Sequence, residues 1–312
     1  MQFPLKILRD REFDVFGFGT NAVDFLITVP QFPAFASKVE LDHYVRAAGG
    51  EIASTMVGLQ RLGVKTAYAG SFGNDDAGLF GIQTLSAEGV DLTFSRKIEG
   101  AETQIAFILI DETTGERTVI WKRDARLAFD APMAPTAAMP RCSVVHMTPH
   151  DTAACVRLAA AARENGTLVS LDIDNMFDGV EELLPLIDVL ISSSEFPRKL
   201  LGISDPKEAL AAMQDKYGSA LAGITLGDQG SIMRCAGEYF ETTGFDVPGG
   251  CKDTTGAGDA FRVGLLFGLL NDEPIENAGR TANAVAALKC REIGARTALP
   301  KASELESFLE KS

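Results

Sequence analysis

Nine residues late in the chain, Asp253-Thr254-Thr255-Gly256-Ala257-Gly258-Asp259-Ala260-Phe261, have the types and spacing of a phosphate seat. Two glycines flank an alanine, a carboxylate follows, and an apolar run (Val263, Leu265, Leu266, Phe267, Leu269, Leu270) continues as a helix. A Gly-rich turn opening a helix leaves backbone N–H groups free at the positive end of the helix dipole, where an incoming anion is stabilised. Asp259 would repel such an anion unless a metal ion or a proton-bearing hydroxyl stood between them. Phosphoryl transfer supplies both, because Mg²⁺ screens the phosphates and an acceptor hydroxyl needs a base. A turn with a capping Asp is the ligand-free alternative for the same residues.

Other polar residues fall where chemistry is possible. Asp24 lies just past the first predicted strand, and ligands in open α/β sheets gather beyond the carboxyl ends of strands. A carboxylate there can accept hydrogen bonds from sugar hydroxyls; a simple turn Asp is the alternative. His146 and His150 bracket Thr148-Pro149 at another strand end, but Pro149 breaks helical i, i+4 geometry and no third ligand stands out, so no metal is expected there. Asp172, Asp174 and Asn175 follow a further strand, within reach of a metal or its waters, or else as a helix start. Lys38 and Arg123 belong to a segment that can close over a cleft, as cations for an anionic group or as solvated charge. Too few fixed cations can be gathered for a phosphorylated acceptor, which favours an unphosphorylated sugar or sugar acid. Trp121 reads as packing in that closing segment.

The elements that must position these residues follow from the hydrophobic pattern. Residues 13–19 read as a buried strand ending in glycines, residues 52–62 as a helix stopping at Gly63, and residues 64–70 as a strand. A turn at 73–78 leads into a helix through Leu85. Residues 104–110 and 117–122 form a hairpin about the polar turn 111–116. Strands at 143–147, 168–173, 189–192 and 222–226 then alternate with helices at 152–165, 179–186 and 206–217. A hairpin about Ala236-Gly237 and helices at 260–270, 274–289 and 301–311 complete the chain. This alternation predicts one α/β unit over residues 1–312, a doubly wound, mostly parallel sheet flanked by helices. Residues of about 25–48 and 101–124 are expected to form a small β-sheet lid. Gly17-x-Gly19-x-x-Ala22, with Asp42 at ribose-ligand distance, formally matches a dinucleotide fingerprint. That fingerprint needs a helix, whereas residues 24–29 are rich in strand formers and Pro30 and Pro33 follow.

Composition sets outer bounds. With 46% hydrophobic and 23% charged residues the chain is globular, and a net charge of −14 offers no basic surface to nucleic acid or an anionic membrane. The five cysteines are scattered without Cys-x-x-Cys spacing, as buried free thiols of a cytoplasmic protein would be. Residues 1–11 lack an apolar signal core, and no run is long enough for a membrane span.

Taken in order, Gly49-Gly50, Thr225-Leu226-Gly227-x-x-Gly230 and Asp253 to Phe261 resemble the ribokinase-like (phosphofructokinase B type) carbohydrate kinases over essentially the whole chain. The resemblance implies ATP and Mg²⁺ as cofactors, Asp259 as the base, and the N–H groups of Gly256, Ala257 and Gly258 as the anion hole. It further implies that Asp24, Gly49 and Gly50 hold sugar hydroxyls, that Thr225, Gly227 and Gly230 lie along the nucleotide phosphates and ribose, and that Asn283 sits near the base. A monovalent cation such as K⁺, bound by backbone carbonyls near Asp253 and Gly294-Ala295, is a further feature of some members.

Two positions depart from the family pattern. Ser54 stands where an Asn is usual, and a hydroxyl cannot present an amide's paired groups. Ser192-Ser193-Ser194-Glu195 replaces an Asn-x-x-Glu element; Glu195 keeps the carboxylate that serves a hydrated Mg²⁺, while Ser192 loses the amide. The expectation is ATP-dependent phosphorylation of a small sugar or sugar acid, with a nucleoside kinase or an impaired nucleotide-binding regulator as alternatives. An apolar outer lid face would suit a homodimer.

Overall fold

Strands β1 (Phe13–Phe18), β2 (Ala22–Val29) and β3 (His43–Gly49) lead into helix α1 (Glu51–Arg61), followed by β4 (Thr66–Ala69), β5 (Ser71–Gly73), α2 (Asp76–Ala87) and β6 (Arg96–Ile98). Then come β7 (Ile105–Asp111), β8 (Arg117–Lys122), β9 (Cys142–Met147), α3 (Thr152–Glu164), β10 (Leu168–Ile173), α4 (Val180–Leu183), β11 (Val189–Ser193) and α5 (Glu195–Leu201). The last part comprises α6 (Pro206–Tyr217), β12 (Leu221–Thr225), β13 (Ser231–Cys235), β14 (Glu238–Thr242), α7 (Ala257–Leu270), α8 (Ile275–Lys289) and α9 (Ala302–Leu309). The structure is a computed structural model describing residues 1–41, 43–113 and 117–311. Asp42 and residues 114–116 of the expected hairpin turn lie outside the described residues. The helix expected over 179–186 is only α4 followed by a 3₁₀ turn at Leu184–Leu186, because Pro185 lacks the N–H that would continue it.

The main sheet has eight strands in the order β14-β13-β12-β11-β10-β9-β1-β4. Strands β12 through β4 in that order pair in parallel, and β13 and β14 add an antiparallel edge. β9 and β10 are buried along their whole length, as strands covered on both faces must be. Alternate side chains serve opposite layers. Val15, Val144, Val189 and Ile191 pack with α1, α7 and α8, whereas Phe16, Phe18, Val145 and Val169 pack with α3 and α6. The chain leaves β1 for β4 on one side and later returns to β9 on the other, which creates a switch point at the carboxyl end of β1.

The second sheet, in the order β3-β2-β7-β8, is built from the segments read as a separate small sheet. Its register puts Asp24 beside Ala106 and Trp121, and Leu26 beside Ile108 and Val119, on one face. The other face carries Phe25, stacked on Tyr44 at 6.0 Å and on Phe107 at 5.1 Å, together with the exposed Ile120. No helix among the described residues is long and apolar enough to cross a membrane.

Candidate active site

A cavity of about 650 Å³ opens between the carboxyl ends of the main-sheet strands and the first face of the small sheet. That volume suits a small ligand rather than a single water. Thr20, Thr148, Asp172, Ser193 and Thr225 line it from the ends of β1, β9, β10, β11 and β12. Asp24, Ala106, Val119 and Trp121 line it from the small sheet.

The expected phosphate seat forms one wall. Gly256 caps α7 in the left-handed conformation (φ 77°), which glycine adopts without strain. A Cβ there would lie 2.8 Å from the Cβ of Ala295. Thr255 N donates to Asp253 Oδ1 at 2.8 Å, which folds the preceding turn over the helix start. Thr255, Gly256, Gly258 and Asp259 all line the cavity. Burial pushes the Asp259 carboxyl well above its ordinary range; Asp172 and Glu51 push the same way, and Arg262 and Lys289 oppose them. This group therefore holds a proton more readily than a surface Asp does.

Arg262, which the motif reading passed over, stands one helical turn after Asp259, so both face the same side of α7. It is 4% exposed and lines the cavity, where it is ion-paired with Asp172. Its Nη1 donates to Gly258 O at 3.0 Å, tying the first turn of α7 to the end of β10. Burial raises Asp172 to about 7 even though Arg262 opposes the shift. The i, i+3 spacing from Asp259 was the signal available in the sequence.

The same cavity is lined by Asp24, Gly50 and Glu51, with Gly49 beside Asp24. Asp24 is 5% exposed and lies against Gly49, whose missing side chain makes room for the carboxylate. Burial pushes Asp24 up to about 6, with Arg296 opposing. Gly50 lines the cavity at the start of α1 with φ 90°. The Ser54 hydroxyl accepts from Arg296 Nε at 3.1 Å, and the Arg296 Nη2 donates to Gly49 O. Arg296 is 8% exposed and gave no sequence signal, because the contact spans 242 residues. Glu51 and His150 both line the cavity and bond at 3.0 Å. Burial pushes the Glu51 carboxyl up, but hydrogen bonds from His150 and Thr148 and the charges of His150 and Arg262 together outweigh it and hold the group below its ordinary value.

Several expected site residues sit elsewhere. Arg123 forks onto both oxygens of Asp151 at 2.9 and 2.8 Å, so it is not a free cation for an acceptor. Lys38 is exposed on the segment between β2 and β3 and does not line the cavity. A cation of the small sheet that does line it is Arg117, at the start of β8, which bonds to Thr254 Oγ1. Asn283 is buried and spends its amide on Thr242 O at 3.0 Å and Thr243 O at 3.2 Å, bracing the chain after β14. Glu195 begins α5, exposed and paired with Arg198, outside the cavity lining. Thr225 lines the cavity near Ser192 O, and Gly227 follows with open space where a side chain would stand. Gly230 is pressed against Thr242 O, and the buried Ser192 hydroxyl has no hydrogen-bond partner among the described residues. Among the same residues no cluster of three or more His, Cys, Asp or Glu could hold a metal. His146 is fully buried and bonded to Ser170, far from a ligand's role.

The chain is 29% identical over 297 residues to an ATP-dependent ribose-1-phosphate kinase of Halopiger xanaduensis, covering 92% of this chain and 94% of that protein. It is also 29% identical over 299 residues to a ribokinase of Haemophilus influenzae, covering 94% and 97%. The structure of an Arabidopsis thaliana ribokinase complexed with ribose and ATP superposes with a TM-score of 0.81 at 21% identity, covering 96% of this chain and 99% of that one. The sequence pattern of the pfkB family carbohydrate kinases matches residues 13–302, and the chain belongs to that family.

Proposed function

We propose that this protein transfers the γ-phosphoryl group of ATP to a hydroxyl of a small unphosphorylated sugar. The observation that carries the reading is the placement of Asp259 and the 256–258 backbone in the same cavity as Asp24, Gly50 and Glu51. Asp259 takes the acceptor proton as the new O–P bond forms and the bond to ADP breaks. The N–H groups of Gly256, Ala257 and Gly258 stabilise charge on the transferring group. Mg²⁺ supplies charge screening when it is bound with the nucleotide. The side chains suit an ion that keeps waters and phosphate oxygens as most of its ligands, since Asp174 and Asn175 line the cavity without forming a cage. Glu195 would join it only by releasing Arg198.

The acceptor is uncharged on this reading. Of the basic side chains lining the cavity, His150 is held by Glu51 and Arg262 by Asp172, while Arg117 sits at Thr254 beside the phosphate seat. An acceptor carboxylate or phosphate would instead face Asp24 and Glu51, which disfavours sugar acids. A nucleoside is the second reading, favoured by the aromatic faces of Trp121 and Phe177 in the lining. The small sheet, from about 25–48 and 101–124, closes as a lid and excludes water. Its exposed apolar face suits a second copy of the chain, and five free cysteines suit a cytoplasmic setting.

ADP release measured across neutral sugars, sugar acids, sugar phosphates and nucleosides tests the acceptor class. Asp259→Asn is expected to lower kcat by about a hundredfold or more while ATP affinity stays, the scale of a lost general base. Undiminished turnover would refute the mechanism, and no turnover with any acceptor would favour a regulatory protein.

A further inference from the structure

Lys289, the last residue of α8, has 0% exposure. A buried ammonium is costly unless it is paired and hydrogen-bonded. Its Nζ donates to the backbone O of Asp253 at 2.8 Å and lies 3.7 Å from Asp253 Oδ2. Asp253 is fixed in turn, because Oδ1 accepts from Thr255 N and Oδ2 from Gly294 N, each at 2.8 Å. The ammonium thus lies where the segment leading into α7 meets residues 290–295. Lys252 N bonds to Cys290 O in the same place, and Gly256 rests on Ala295.

This is also where the family resemblance puts a monovalent cation, on carbonyls near Asp253 and Gly294-Ala295. Those residues do not fit a mobile ion here, because the Asp253 carbonyl already accepts from a tethered cation of the same charge. An incoming K⁺ would meet that charge in a buried site where repulsion is poorly screened. The Lys289 charge also reaches the reaction centre, opposing the proton-holding tendency of Asp259.

We propose that Lys289 is a built-in replacement for the monovalent cation, a positioning residue that holds the 253–256 turn and its anion hole in working shape without K⁺. The proposal rests on the kinase reading, yet any turnover by the wild type secures that reading whatever its ion dependence. Wild-type kcat in K⁺, Na⁺ or choline chloride at equal ionic strength is expected to agree within about twofold, and Tm should not rise selectively with K⁺. Activation by K⁺ of tenfold or more, or a K⁺-specific rise in Tm, would overturn the proposal. Lys289→Met, which keeps the buried stem, is expected to lose at least about tenfold in kcat. Lys289→Ala, which opens space for an ion, should regain part of its loss in K⁺ or methylammonium. Undiminished kcat in Lys289→Met, or a slow Lys289→Ala that no cation restores, would also overturn it. Should neither variant fold, the wild-type ion comparison decides.

Discussion

Gly49→Ala is a steric probe of the acceptor end. Gly49 ends β3 beside β2, and its φ is not in the left-handed region, so alanine is acceptable to the backbone. The new Cβ, however, would lie 1.9 Å from Asp24 Oδ2 and 2.5 Å from Asp24 Cγ. Ordinary contact begins at 3.4 Å, so the carboxylate must retreat by about 1.5 Å, and a misplacement of about 1 Å is enough to cost roughly a hundredfold. With Asp24 only 5% exposed, the side chain has little room in which to recover its position. The expected result is a fall in acceptor kcat/KM of about a hundredfold, or about 2.7 kcal/mol, with ATP KM changed by no more than about twofold. Steady-state ADP release with each substrate varied in turn measures this, and Tm confirms the fold. Acceptor kcat/KM within about threefold of wild type would refute Asp24 as an acceptor ligand. An equal loss for both substrates would point to general damage of the cleft.

Arg296→Gln tests the group behind Asp24. Arg296 and Asp253 are the charges acting on the Asp24 carboxyl, and Arg296 holds it down against burial. If the ionised form accepts hydrogen bonds from acceptor hydroxyls as proposed, acceptor KM should rise as pH falls through about 6 in the wild type, and the inflection should move upward in Arg296→Gln. An unmoved inflection in the pH profile would refute the coupling. His146 sets an acid limit on stability: burial pushes its ring down to about 3 from an ordinary 6.5, so the folded form stays neutral where the unfolded form binds a proton. Stability is therefore full above 6.5 and falls as pH drops from there towards 3, by up to about 1.4 kcal/mol per pH unit. Urea unfolding at several pH values should show that slope reduced by about one proton in His146→Asn, and equal slopes would refute the assignment.

The sequence is legible where chemistry and chain position coincide. Residues 253–261 lie together on one turn and one helix start, so their types alone point to the phosphate seat. The hairpin of β7 and β8 was readable for the same reason, whereas the parallel pairing of β2 with β7 depends on topology. Arg123 shows the limit. Its position after β8 suggested a free lid cation, but Asp151 captures it from 28 residues away. Glu51 with His150 and Arg296 with Gly49 span 99 and 247 residues, so neither pair leaves a local pattern. The Asn283 amide was equally invisible, since only the fold brings it under Thr242 and Thr243.

The departure at Ser54 gains a physical account from these distant partners. Its short side chain leaves space for the Arg296 guanidinium, which reaches both the Ser54 hydroxyl and the Gly49 carbonyl. A single fixed cation thus ties the Gly49 carbonyl to the Ser54 side chain one turn into α1 and at the same time opposes protonation of Asp24. An amide at position 54 could offer donors and acceptors but no charge. The buried Ser192 hydroxyl has no comparable partner among the described residues, so the loss of the amide there is not compensated by protein. The two departures therefore differ in kind. At position 54 the neighbouring charge of Arg296 acts on Asp24, which on the proposed reading ties acceptor binding to protonation. At position 192 a fully buried hydroxyl outside the cavity lining is left without a partner among the described residues, so no titrating group ties its effect to pH.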